Sequence, residues 1–251
     1  MLRPDDFQLY SVQASVFTPD IQRFRKAEVL SRLFPDFAPR YDGEVETGIP
    51  QRFTVPPQTE VVLQFSQLKV PLSLTSEDRH WEFKVSSERA DSIWVSRPGE
   101  NPRLADICRQ CVEPLMRYPV MEGVQIGRLA LVVRRFVNSN DPANGLARHF
   151  CQPAFADEDS PLAPLRHSKA FQLHNLKKYA APNAINVNSW VRLRSDVAIH
   201  DHQAASFEQD INTLAEESRD HAFTDHQVVE FFNWAVEEAN HILHLYFPQS
   251  R

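Results

Sequence analysis

Four clusters in this 251-residue chain have residue types and spacings that can carry chemistry. Cys108-Arg109-Gln110-Cys111 has the CxxC spacing of zinc and dithiol sites. His200-Asp201-His202 sets two imidazoles around a carboxylate, a combination that binds metal or moves protons. His241 and His244 recur about one helical turn apart, and Asp157-Glu158-Asp159 is a compact acidic run. Each cluster lacks its complement. A structural zinc site needs about four ligands, and no second cysteine pair stands at conventional spacing. There is no HExxH and no GxSxG elbow, and none of the six glycines falls in GxGxxG or GxxxxGK[ST]. The sequence therefore points away from an enzyme and implies no cofactor and no metal. The enzyme alternative is a metal-assisted hydrolase or nuclease centred on His200, Asp201 and His202.

The elements that carry these residues follow from periodicity. Leu9 to Phe17 alternates Tyr10, Val12, Ala14 and Val16 against Ser11, Gln13 and Ser15, which predicts a strand with one buried face. Thr18-Pro19 is a cap followed by proline, and a helix with Ile21, Phe24, Ala27, Leu30 and Leu33 inward should follow. Residues 36–58 carry several prolines and no period, so they read as a long connection. Short strands are expected over 60–67, 81–85 and 92–96. Asn101-Pro102 repeats the cap and opens a helix whose inner stripe is Leu104, Ile107, Cys108, Cys111, Val112 and Leu115. Both CxxC sulfurs thus fall on an apolar stripe, where cysteine behaves as a small buried hydrophobe.

The pattern then starts again. Residues 125–138 form a strand with Leu129, Leu131, Val133, Arg135 and Val137 on one side; Asp141-Pro142 is another cap; and 143–151 is a short helix. Strands are expected over 168–179, 184–200 and 204–214, the last also compatible with a helix. A closing helix runs from the Thr224/Gln227 capping box to about Tyr246, with Val228, Phe231, Phe232, Ala235, Ala239, Ile242, Leu243 and Tyr246 on one face. Each half, 1–120 and 121–251, therefore reads strand, helix, long loop, three strands, helix. The expected fold is α+β, internally duplicated, with antiparallel sheet and helices packed on one face.

This order of elements, together with RLALVVRRFVN, SFEQDINTL and DHQVVEFFNWAVEEANHILHLYF, resembles a sporadically distributed family of bacterial proteins of about this length whose activity is not established. Arg128 and Asn138 match the arginine that opens, and the asparagine that ends, the family's central strand. Asp210-Ile211-Asn212 matches its late acidic motif at the first position only. The resemblance implies a bacterial cytoplasmic protein with an α+β fold and supplies no activity.

Composition narrows the partners. A formal charge of −6 gives no global attraction for nucleic acid, which is therefore disfavoured. No window reaches the roughly eighteen apolar residues of a spanning helix, so no membrane partner is expected and the location reads as cytoplasmic. Three cysteines are odd in number and too sparse for a disulfide scaffold. The strand alternation assigns one further surface, the sheet face turned from the helices. In the first half it carries Ser11, Gln13, Ser15, Gln64, Ser66, Glu82 and Lys84; in the second, Arg128, Arg134, Gln172, His174, Trp190, Arg192 and Arg194. The second set combines cations with an aromatic, which suits anionic or stacking partners. The functional expectation is a binding or adaptor protein that engages a protein partner, a second copy of itself or an anionic ligand through this face.

Overall fold

The structure is a computed structural model that describes residues 2–19, 44–46, 72–122, 125–151 and 168–248. Its strands are β1 (Gln8–Phe17), β2 (Glu44–Glu46), β3 (Leu72–Thr75), β4 (Trp81–Val85), β5 (Arg89–Val95), β6 (Arg128–Asn138), β7 (Gln172–Ala180), β8 (Asn186–Ile199) and β9 (His202–Thr213). The helices are α1 (Leu104–Glu122), α2 (Pro142–Phe150) and α3 (Asp225–Tyr246). All nine strands join one sheet in the order β2-β3-β4-β5-β1-β6-β9-β8-β7, and every neighbouring pair is antiparallel. The protein is α+β, and α1, α2 and α3 all pack on the same face of the sheet.

Alternation dictates this facing. On β6, Leu129, Leu131 and Val133 point to the helices and lie opposite Val16, Ala14 and Val12 of β1, all six at most 1% exposed. Helix α1 adds Leu104, Ile107, Cys108, Cys111, Val112 and Leu115 to the same core, and α3 adds Phe231, Phe232, Ala235, Ala239 and Ile242. Cys108 and Cys111 are thus core residues, and burial pushes the Cys108 thiol up to about 12, against the thiolate form. Two of the helix starts use the expected devices. The Asp141 carboxylate accepts from the Asn144 amide with Pro142 in the first turn, and Thr224 and Gln227 cap α3 reciprocally.

Several expectations are corrected. Helix α1 starts at Leu104, and Asn101 does not cap it; its Oδ1 accepts from the Leu9 amide at 3.2 Å and ties β1 to the approach to α1. A register shift between Leu9 and Ser11 turns Leu9 to the helices and sends Tyr10 to the opposite face, where it meets Phe136. Strand β3 was not anticipated, and the three-residue β2 interrupts the expected 36–58 connection. The 204–214 segment is a strand, β9. The helix expected after Pro19, the 60–67 strand with Gln64 and Ser66, and the 157–159 acidic run lie outside the described residues. Among the described residues no helix is long and apolar enough to cross a membrane.

Burying a leucine side chain contributes about 1.5–3 kcal/mol, and an unpaired carboxylate in its place adds a desolvation cost. Leu131→Asp is expected to destabilise the protein by about 4 kcal/mol or more, whereas Val132→Thr on the opposite, half-buried side should stay within about 1 kcal/mol. Chemical denaturation of the two variants checks this; equal losses would mean that the facing of β6 is wrong.

Candidate functional site

The face away from the helices is built by cross-strand rows. Register places Arg134 of β6 opposite Glu208 of β9, Glu208 opposite Arg192 of β8, and Arg192 opposite His174 of β7. The next row on one side joins Phe136, Ser206, Arg194 and Gln172; on the other it joins Val132, Asp210, Trp190 and Leu176. Six of the seven residues anticipated for this surface, Arg134, Gln172, His174, Trp190, Arg192 and Arg194, therefore lie in three adjacent rows. Arg128 stands apart at the far end of β6. Its guanidinium lies 4.6 Å from the Phe17 ring centroid and donates to the Thr213 carbonyl and the Asn212 side chain at 3.0 and 2.9 Å.

The surface is not the bare cationic strip that the arginines alone describe. Glu208 accepts from both Arg134 and Arg192 at 2.5 Å, and Arg192 also lies 3.8 Å from Asp210 and 5.1 Å from the Trp190 ring centroid. Arg194 pairs with Asp196 at 3.3 Å. Glu208 is not among the residues anticipated for this surface, and Asp210 enters the sequence analysis only through the resemblance, because the 204–214 segment is compatible with both strand and helix. The signal that identifies them is the alternation of Phe207, Gln209 and Ile211 against Glu208, Asp210 and Asn212, with the first set fully buried. Burial raises the Glu208 carboxyl, but hydrogen bonds and charge from Arg134 and Arg192 outweigh it, and the net effect holds Glu208 below its ordinary value of 4.5.

Arg128 donates to Asn212, and Asn212 donates to Asp210 at 2.9 Å, which links both ends of Asp210-Ile211-Asn212 to the arginine that opens β6. Asn138 is exposed at the other end of β6. Over the first half the same face is closed: Ser11, Ser15 and Asp91 are buried, with Ser15 and Gln13 donating to Asp91. Over the second half it opens, with Gln172, His174 and Arg194 exposed and Trp190 and Arg192 half-buried.

His200, Asp201 and His202 occupy the β8–β9 turn. His200 and Asp201 are the two central residues of a two-residue hairpin, both with positive φ (50° and 65°), the geometry that matches the twist of the flanking strands. The His200 ring packs edge-on against Tyr10 and Phe136, with centroids 5.8 and 5.6 Å away, and its Nε2 lies 3.5 Å from Ser96 Oγ. Asp201 and His202 are exposed. The trio shapes a turn, and among the described residues no group of three or more His, Cys, Asp or Glu side chains is arranged to hold a metal ion. His241 and His244 are both exposed on α3.

Compared with protein-family models and with curated proteins, the chain matches none.

Because the folded-state value of Glu208 is depressed, its stabilising contribution is present above pH 4.5 and is lost as the pH falls through the lower value. Glu208→Gln should cost about 1 kcal/mol at neutral pH, since it replaces the carboxylate shared by two half-buried arginines with a neutral amide that keeps only one acceptor oxygen. Urea midpoints of wild type and variant should converge below pH 4.5; a gap that persists unchanged there would assign the loss to something other than ionisation.

Proposed function

We propose that the protein is a non-enzymatic binding or adaptor protein, and that the open second half of the helix-free sheet face engages a protein partner. The observation that carries this reading is the row Arg134–Glu208–Arg192, in which one carboxylate fixes two guanidinium groups, that of Arg192 lying over Trp190. Interfaces draw their binding energy from such rigid aromatic and arginine anchors, because little side-chain entropy remains to be lost on contact. An outer face that were only solvated would need no acidic residue placed to hold the arginines in one orientation. Arg194, Gln172 and His174 give it an exposed polar rim. The charge is mixed, so nucleic acid is a poorer match than a protein surface with both signs.

We further infer that the chain is an internal duplication of halves 1–120 and 121–251. The strand order supports it: β3-β4-β5-β1 on one side of the centre is answered by β7-β8-β9-β6 on the other, with a helix closing each half.

The double variant Trp190→Ala with Arg194→Glu removes an anchor and reverses an exposed charge while leaving the Glu208 row intact. Immobilised wild-type protein is expected to retain a partner from an extract of its own host that the double variant does not retain, at equal melting temperature. An identical set of retained proteins, with identical oligomeric state, would overturn the reading.

A further inference from the structure

The two ends of the sheet differ. One ends in the three-residue β2, whereas the other ends in β7, nine residues long, with no strand on its outer side among the described residues. A strand of that length presents a row of unpaired backbone donors and acceptors. On the helix side, a cleft of about 680 Å³ runs between β7, β8 and the C-terminal half of α3. Leu173, Val191, Ile242 and Tyr246 make its apolar walls, and Leu245 at its side is 61% exposed, the most exposed large hydrophobic side chain among the described residues. The walls are held rigidly: Tyr179 donates to Glu238, and Asn175 donates to the Tyr246 hydroxyl, each at 2.7 Å. An edge strand beside a helix with an apolar trough between them is the arrangement in which an added strand gains affinity from main-chain hydrogen bonds and specificity from alternate side chains.

Charge defines the occupant. The edge strand itself carries Lys177 and Lys178 and no aspartate or glutamate, within a protein of net charge −6, and the carboxylate lining the cleft, Glu238, accepts from Tyr179. Lys177 borders the cleft and forms no ion pair among the described residues, while its neighbour Lys178 reaches Glu216 on the other face. Lysines on an edge block indiscriminate pairing, but that role leaves the adjoining apolar cleft without a purpose. A second copy of β7 would bring both lysine pairs to one shared edge, which like charges disfavour. We propose that β7 accepts, by strand addition, an extended acidic segment of another protein, with one apolar side chain of that segment seated in the cleft against Leu245 and Tyr246. This site is on the opposite side of the sheet from the arginine row and does not depend on it.

The test uses the full chain and a displayed library of random peptides, followed by fluorescence anisotropy with the selected peptides. Expected are acidic sequences with apolar residues at alternate positions, binding that weakens about tenfold in Lys177→Glu and in Leu245→Arg, and no change in Arg194→Glu. Backbone amides of β7 should exchange more slowly when peptide is bound. The proposal is overturned if no peptide is selected, or if the selected peptides bind Lys177→Glu as well as wild type. It is equally overturned if β7 is already protected through a concentration-dependent dimer of the protein alone. Loss of the host partner in the Trp190/Arg194 variant with peptide binding retained would separate this site from the face proposed above.

Discussion

The pairing of β1 with β6 is the contact on which the rest of the molecule depends. These are the central strands of nine, and their helix-facing side chains are all but removed from water. Because side chains alternate with period two, fixing that one pair fixes the facing of every strand hydrogen-bonded outward from it. A one-residue slip would carry Leu129, Leu131 and Val133 to the open face and bring Arg128 and Arg134 under the helices. The polar row and the apolar core are therefore two consequences of one register.

The core does not exclude charge altogether. Arg135 lies on the helix side of β6 at 5% exposure, and burial pushes its guanidinium down to about 10. Among the described residues it has no carboxylate partner. It donates instead to the side-chain oxygen of Gln209 and, at 2.8 Å, to that of Asn240, and Gln209 in turn donates to the Ala239 carbonyl at 2.7 Å. A buried cation left without acceptors is strongly destabilising, so these neutral amides fix where α3 can sit over β6 and β9. Polar groups thus set the docking of α3, while apolar area supplies the driving force.

Much of the fold was legible in the sequence where one physical signal dominated. Strand β6, helix α3 and the Asp141 cap have strong alternation, a continuous apolar stripe and unambiguous cap chemistry, and each stands close to its expected position. Legibility failed where two signals competed. Asn101-Pro102 looks like a cap, but the asparagine oxygen is taken by Leu9 from a strand distant in sequence, which no local pattern records. Tyr10 keeps the alternation of β1 in the sequence, yet the register shift beside it reverses its facing. The open face shows the same limit. Its arginines could be placed from their own strands, but their true electrostatic setting is decided by Glu208 and Asp210 on β9, a segment whose type was ambiguous. The turn role of His200 and Asp201 rests on positive φ, which histidine and aspartate adopt more readily than most residues but which their types alone do not specify.

The central claim is that the open half of the helix-free face is the surface a protein partner covers. Hydroxyl-radical footprinting of the chain alone, and of the chain bound to the partner it retains, addresses this directly, since Trp190 and His174 are reactive residues on that face. The account predicts that both are modified in the free protein and protected in the complex, while His244 on the exposed side of α3 reacts equally in each. Equal modification of Trp190 and His174 in the two states would contradict it.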